Sequence, residues 1–437
     1  MTKAELKIKA KKILRNQLQK WLAIFSRKIL DKYDPTIVGV TGSVGKTSTK
    51  EAIYTVLRSS KKTRRNRGNF NTEFGFPMTI IGDYQRVGGY GFWTRVLIRG
   101  AFLTIFPEFI ANRVLGHYPE VLVLEYAADK PGDLKYLISI ARPDITVLTA
   151  IGDVPVHVEF YDSPEQVAKE KSRLIEALSS SGVAILNCDE DRVLALKEKN
   201  RGETMYFGFG EKADLKVSAF ETRLETIGKG IPKKPIGISF KLEHGDNFVP
   251  IRINGTLGRS QAYAAAAAAM VATSIGLNLV QIADAFTHFP VPSQRMKLMS
   301  GMNQSYIMDD SYNASPIAMN MAFETIAEIR AKRKIAVLGD MLELGHFSDK
   351  AHDAVGKEAA NLFKILITVG EQGRRMANAA IKTGMLKRNV FSFDAAHDAE
   401  IKLLEILRKG DLVLIKGSKA MDLKLVAEAA TKGRIID

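Results

Sequence analysis

A single cysteine, Cys188, stands in a chain of 437 residues. That excludes an internal disulfide framework and any metal centre built from several thiolates, and it suits a reducing compartment. Long apolar runs are missing too. No stretch reaches the roughly 18 apolar residues that span a bilayer, so no transmembrane helix is expected. Charges interrupt every apolar run among the first 33 residues, which gives no signal-peptide pattern. The expected location is the cytoplasm, with the inner face of the membrane as the place where the chain would meet lipid. Internal repeats are absent, and the only biased segment is Ala264–Ala269. It reads as a tightly packed helix face.

Acidic charge is in deficit. Lys and Arg number 63 against 48 Asp and Glu, a net charge of +15. Residues 1–33 carry ten Lys/Arg and only Glu5 and Asp31, which leaves +8, about half of the excess. Arg58, Lys61, Lys62, Arg64, Arg65 and Arg67 form a second basic cluster. Anionic lipid, an anionic substrate or nucleic acid could each answer this charge. No interleaved aromatics and no nucleic-acid motif accompany it, so no nucleic-acid partner is expected.

The strongest positive signal is residues 37–49, Ile-Val-Gly-Val-Thr-Gly-Ser-Val-Gly-Lys-Thr-Ser-Thr. A β-branched run ends in a Gly-rich turn, and a helix then opens, read over Glu51 to Leu57. Gly42, Ser43, Val44 and Gly45 let successive backbone N–H groups turn toward one anion. Lys46 adds a full positive charge, the Thr47 hydroxyl suits Mg²⁺, and Ser48 follows at the helix start. The loop is a site for a nucleoside triphosphate, and its length differs from the commonest phosphate-loop pattern.

Around it the chain divides into three expected parts. Residues 1–33 form a basic amphipathic helix, in which Leu14, Leu18, Trp21, Leu22, Phe25 and Ile29 recur every three or four residues. Residues 34–290 form a central ATP-binding domain. Its strand-like runs, Val121–Leu124, Ile145–Leu148 and Val183–Leu186, alternate with helical stretches, and a small β region spans 203–256. Residues 88–118 form an apolar insertion. It reads as a helical hairpin against the first helix or as a membrane-facing surface. Pro290, Pro292 and Ser293 mark a hinge. Residues 291–437 repeat the strand–helix alternation, with strands at Ser305–Met308, Ile335–Leu338, Ile365–Val369, Val390–Phe393 and Leu412–Ile415, and read as Rossmann-like without the Gly-x-Gly-x-x-Gly fingerprint. The fold class is therefore α/β, with a mostly parallel central sheet and a second α/β domain.

Further segments carry a family resemblance. Gly68-Asn69-Phe70-Asn71-Thr72-Glu73-Phe74-Gly75-Phe76-Pro77, Leu124-Glu125-Tyr126, His157-Val158-Glu159 with Lys171, Asp309-Asp310-Ser311-Tyr312-Asn313-Ala314-Ser315-Pro316, Leu338-Gly339-Asp340-Met341-Leu342-Glu343-Leu344-Gly345 and Lys416-Gly417-Ser418 occur in that order. As an ordered series over residues 36–437 they resemble the Mur ligases. They are most similar to the branch that adds D-alanyl-D-alanine to a UDP-muramoyl-tripeptide in peptidoglycan synthesis.

The resemblance implies ATP and Mg²⁺ as cofactors. ATP would phosphorylate a carboxylate, and an amine would displace phosphate from the acyl phosphate. Lys46 would stabilise the β- and γ-phosphates, while Thr47, Glu125 and His157 would hold Mg²⁺. Lys171 would be carbamylated as a ligand to a second Mg²⁺. Arg295 and Asp310 would meet the nucleotide's phosphate and ribose, with Asn313 beside the base, and domain closure would complete the site. The sequence departs from the family pattern at Ala150, at Asp153–Val156, at Gly258-Arg259-Ser260-Gln261 and at Ala264. The family's usual UDP-binding domain of about a hundred residues is not expected before Asp34. The implied partners are a peptidoglycan precursor peptide and a dipeptide amine, with peripheral membrane contact through residues 5–32 and 88–118. Two alternatives stand beside this reading: a related ligase for a polyglutamate or folate substrate, and a nucleotide-binding scaffold without turnover.

Overall fold

The computed structural model describes residues 3–226 and 234–432. Helix α1 (Lys3–Tyr33) leads into β1 (Thr36–Thr41), and α2 (Lys46–Leu57) follows the phosphate loop. The next elements are β2 (Thr63–Arg65), α3 (Gly75–Ile81), α4 (Tyr90–Ile105), α5 (Glu108–Leu115), β3 (Val121–Glu125), α6 (Asp133–Ile140) and β4 (Ile145–Leu148). Then come α7 (Pro164–Glu176), β5 (Val183–Asn187), the single-turn α8 (Asp191–Leu194), β6 (Glu203–Gly208), β7 (Leu215–Glu225), β8 (Lys234–His244) and β9 (Asn247–Asn254). These strands form one sheet in the order β2-β3-β1-β4-β5-β6-β7-β8-β9. It is parallel from β2 to β7, and β8 and β9 add antiparallel.

Residues 203–256, which the sequence suggests as a small β region, therefore extend the main sheet. The parallel pairing of β6 with β5 and of β6 with β7 makes the join. The strands at the sheet's centre are buried on both faces, as their unbroken apolar runs require. Helix α9 (Arg259–Ser274) lies on one face, with Ala264–Ala269 buried on every side. Alanine is the side chain that lets a helix approach α2 and the sheet so closely. Helix α10 (Leu279–Phe286) starts from a capping box between Asn278 and Gln281, with backbone-to-side-chain bonds of 3.0 Å in each direction.

The second sheet begins at β10 (Lys297–Ser300) and β11 (Tyr306–Asp310). It continues through α11 (Pro316–Glu328), β12 (Arg333–Gly339), α12 (Ser348–Leu362), β13 (Ile365–Val369) and α13 (Glu371–Lys382). The last elements are β14 (Val390–Phe393), α14 (Ala396–Ile406), β15 (Asp411–Lys416) and α15 (Lys424–Lys432). The order is β10-β11-β15-β12-β13-β14, parallel except for β10. Both sheets aim the C-terminal ends of their parallel strands at a shared crevice, where α/β folds bind ligands.

Helix α1 packs on α3, α4 and α6. Leu22 and Ile29 are fully buried, and Ser26 Oγ donates to the Pro77 carbonyl at 3.2 Å. The apolar stripe read from the sequence is split by this packing: Trp21 and Leu14 are exposed. Residues 88–118 are the helical hairpin α4–α5, and α4 lies against α1. Among the described residues no helix is long and apolar enough to cross a membrane.

Candidate active site

The phosphate loop bridges β1 and α2. Gly42 and Gly45 have φ of 144° and 88°, conformations that side chains resist. A Cβ on Gly42 would lie 2.0 Å from Thr149 Oγ1, so only glycine fits there. Helix α2 starts at Lys46, a turn earlier than the sequence suggests, because the left-handed Gly45 serves as its N-cap. Lys46 Nζ donates to the carbonyls of Gly42 at 2.7 Å and Ser43 at 3.4 Å, folded over its own loop. Burial pulls its ammonium below the ordinary lysine value. Ser43 Oγ is buried and has no hydrogen-bond partner among the described residues.

Beside the loop stands a carboxylate held by three side chains. Glu125 ends β3. Its Oε2 accepts from Thr47 Oγ1 at 3.0 Å, its Oε1 accepts from Asn71 Nδ2 at 3.1 Å, and its backbone N–H donates to Asn66 Oδ1 at 3.0 Å. Lys50 Nζ, wholly buried on α2, lies 3.3 Å from Glu125 Oε2 and 3.7 Å from Glu51 Oε1. Burial pushes the Glu125 carboxyl up, but the charges of Lys50, Lys46 and Arg295 outweigh it and hold it below its ordinary value. Glu125 is therefore an anion at neutral pH, ready for a cation.

The second sheet's side of the crevice reaches the same spot. Arg295 Nη2 donates to Thr47 Oγ1 at 2.8 Å, and its guanidinium lies 3.9 Å from the centre of the Tyr312 ring. The Tyr312 hydroxyl donates to Asn69 Oδ1. Gln261 Nε2 donates to the Arg295 carbonyl at 3.1 Å. The flanking residues Gln294 and Met296 have φ of 60° and 51°, a strained backbone that these contacts hold in place. Asp310 accepts from the Met296 N–H at 3.0 Å and from Lys416 Nζ, which also donates to the Asn313 carbonyl at 3.0 Å. The Asn313 side chain accepts from the Ala314 N–H at 2.9 Å. Asp310 and Asn313 thus shape the crevice wall.

His157 sits in a left-handed turn with φ of 69°. Its Nε2 lies 3.2 Å from Asp129 Oδ1, and its Nδ1 contacts Glu343 Oε2 from the loop after β12. The contact with His157 lowers the Glu343 carboxyl below the usual range and outweighs burial, which pushes it up. The structure therefore joins Thr47 to Glu125 directly but pairs His157 with Asp129 and Glu343. Among the described residues no cluster of three or more His, Cys, Asp or Glu side chains is arranged to hold a metal. Lys171, buried on α7, has no carboxylate within ion-pair distance among the described residues. Burial and the nearby Lys46 charge take its amine down to about 7.

A cavity of about 650 Å³ connects these groups and is lined from both sheets, with Lys46, Glu125, His157, Arg295, Asp310 and Lys416 in its wall. A second cavity of about 200 Å³ adjoins it at Val44 and Gly45 and is lined by Asn187, Asp189, Arg259 and Tyr263. There the Tyr263 hydroxyl donates to Asp189 Oδ2 at 2.8 Å. The residues fit a magnesium nucleotide. A hydroxyl and a carboxylate supply hard oxygen ligands, the loop has no room for a side chain at Gly42, and the buried Ser43 hydroxyl awaits a partner. Sequence reasoning gave no role to Lys50, Asn71, Tyr312, Asp129 or Glu343, although most of them lie inside the segments that carry the family resemblance.

The family's middle-domain model, described as Mur ligase middle domain, matches residues 107–272, and the Mur ligase glutamate ligase domain matches residues 294–419. The chain is 30% identical over 414 residues to UDP-N-acetylmuramoyl-tripeptide--D-alanyl-D-alanine ligase of Mycobacterium tuberculosis strain H37Rv, covering 90% of this chain and 72% of the relative. It superposes on MurF from Thermotoga maritima in complex with ADP with a TM-score of 0.73 at 26% identity, over 94% of this chain and 82% of the other. A MurF from Acinetobacter baumannii shares the fold, with a TM-score of 0.74 at 22% identity over 95% and 80% of the two chains. The chain belongs to the Mur ligase family and is an ATP-dependent ligase that joins a carboxylate to an amine.

Proposed function

We propose that this ligase adds D-alanyl-D-alanine to the peptide carboxylate of a UDP-muramoyl-tripeptide. The observation that carries the mechanism is the meeting of Thr47, Glu125, Lys50 and Arg295 across the crevice. The names of the sequence relatives support the substrate pair.

The triphosphate lies on the Gly42–Thr47 loop, and its base enters the smaller cavity beside Asn187 and Tyr263, not the place beside Asn313 that the family resemblance implies, since Asn313 lines the larger cavity. Lys46 leaves its loop carbonyls for the phosphates, and Arg295 faces the same charge from the other domain. Thr47 and Glu125 would hold Mg²⁺, which neutralises the phosphate charge that a carboxylate must approach. His157 can join as a ligand by giving up one of its two carboxylate partners, the other then fixing its ring. The substrate carboxylate oxygen forms a bond to the γ-phosphorus as the bond to the β-phosphate oxygen breaks, and ADP leaves. The amine nitrogen then attacks the acyl carbon, phosphate departs with the electron pair of the carbon–oxygen bond, and the nitrogen loses its proton.

Lys171 is suited to carbamylation: its neutral amine attacks carbon dioxide, a nitrogen–carbon bond forms and a proton is released. The product would be a buried carboxylate-like group facing Lys46. Release of ADP in a mixture of ATP, UDP-muramoyl-tripeptide and D-alanyl-D-alanine tests the reading. ADP should appear only when all three are present, with an amide product of matching mass. ADP release that ignores either substrate would overturn it.

A further inference from the structure

Exposed apolar side chains gather on one part of the molecule. On α4, Ile98 and Ile105 are 62% and 73% exposed and lie seven residues apart, with Thr94 and Ala101 on the same helical stripe. The opposite stripe, Val96, Gly100 and Leu103, is buried. Helix α4 is thus apolar on both faces, and only one is covered by protein. Phe109 and Val114 on α5 are exposed beside it, and Phe106 stacks on Phe102 with ring centres 4.4 Å apart.

Helix α1 packs on the covered stripe of α4. Trp21 is half exposed and meets Phe25 at 5.8 Å between ring centres. Phe25 in turn lies so close to Gly100 of α4 that a Cβ there would be 2.8 Å from its ring. Lys32 Nζ locks the two helices together by donating to the Leu103 carbonyl at 2.7 Å and to the Phe106 carbonyl at the end of α4. The two helices are therefore held against each other without a ligand.

Charge identifies the occupant of the patch. Lys7, Lys9, Lys11, Lys12, Lys20 and Lys28 are all exposed along α1. A second copy of this face would set the +8 of residues 1–33 against the same charge, which disfavours self-association. Trp21 and Tyr90 are the aromatic types that settle at a membrane–water boundary. We propose that α1, α4 and α5 together form a docking face for an anionic lipid bilayer, on which α4 lies flat with its outer stripe among the acyl chains and α1 sets its lysines against the headgroups.

Cosedimentation of the full chain with vesicles tests this, using a phosphatidylglycerol–phosphatidylcholine mixture and pure phosphatidylcholine. Binding to the anionic vesicles should exceed binding to the neutral ones at least tenfold and weaken as salt rises. Replacing Lys11→Gln and Lys12→Gln together should lower the partition by about 25-fold at low salt, each cation near lipid contributing about fivefold. Ile98→Asp with Ile105→Asp should abolish vesicle binding and leave the rate of ADP release in solution unchanged, because both positions lie outside the crevice. Equal binding to neutral vesicles, absence of binding, or binding that survives both sets of substitutions would overturn the proposal. So would a dimer in sedimentation velocity that the isoleucine substitutions dissolve.

Discussion

Lys50→Met removes one partner of a buried ion pair and keeps the aliphatic bulk. Lys50 Nζ is 3.3 Å from Glu125 Oε2, with both side chains almost wholly buried. Two unit charges at that separation attract by about 5 kcal/mol at an effective dielectric constant of ~20. Desolvating both ions offsets much of this, and breaking such a pair typically costs about 3–5 kcal/mol, because the other charge is left buried. Glu125 would keep Thr47 and Asn71 as donors and Arg295 nearby, so the lower end, about 3 kcal/mol, is expected. In a Glu125→Gln background the stranded charge is the Lys50 ammonium itself, and the same substitution should cost about 0–1 kcal/mol. The coupling is then about 2–3 kcal/mol, well above the ~0.5 kcal/mol within which independent sites add. Urea unfolding followed by tryptophan fluorescence measures all four proteins. Both tryptophans, Trp21 and Trp93, lie on helices packed with the first sheet. The pH dependence has a fixed sign. The Glu125 carboxyl is held below its ordinary 4.5, so its contribution is complete above that pH and fades as pH falls through the lower folded value. The gap between wild type and Lys50→Met should therefore narrow in acid. Additive costs at pH 7, or a gap that widens in acid, would refute the pairing.

Lys46→Ala should lower ATP-dependent turnover by about a hundredfold or more, with an unchanged far-ultraviolet circular dichroism spectrum; normal turnover would place the phosphates elsewhere. Lys171→Ala should lose activity that a short-chain carboxylate such as formate or acetate partly restores, and an unaffected variant would remove the carbamate. Lys171→Met, in buffer free of carbon dioxide, should raise stability by up to about 5 kcal/mol, since each tenfold loss of proton affinity on folding costs about 1.4 kcal/mol. Because burial takes the Lys171 amine from 10.5 to about 7, the gain should be near zero above pH 10.5, grow as pH falls to 7, and stay level below. A gain independent of pH would show that the amine is not the cause.

The phosphate loop was legible because its chemistry is local: strand, glycines, Lys46 and helix are consecutive. Strands such as Ile365–Val369 and Val390–Phe393 were legible to the residue, since each is a short β-branched or aromatic run with clear punctuation. The contacts that build the crevice are not local. Arg295 and Thr47 are 248 residues apart in sequence, and no spacing announces that a guanidinium will reach that hydroxyl. The partners of His157 were hidden for the same reason, because Glu343 arrives from the other sheet. The stripe on α1 misled in a different way. Spacings of three and four identify an apolar face but not what covers it, so Leu22 and Trp21 looked alike although one is buried and the other faces solvent.

The crevice activates a carboxylate by phosphorylating it. The most direct measurement supplies UDP-muramoyl-tripeptide whose reacting carboxylate carries heavy oxygen, with ATP and D-alanyl-D-alanine, and weighs the phosphate released. An acyl phosphate passes one carboxylate oxygen to the departing phosphate, so each phosphate formed should carry one heavy oxygen. Phosphate that carries no label, while amide product accumulates, would contradict it.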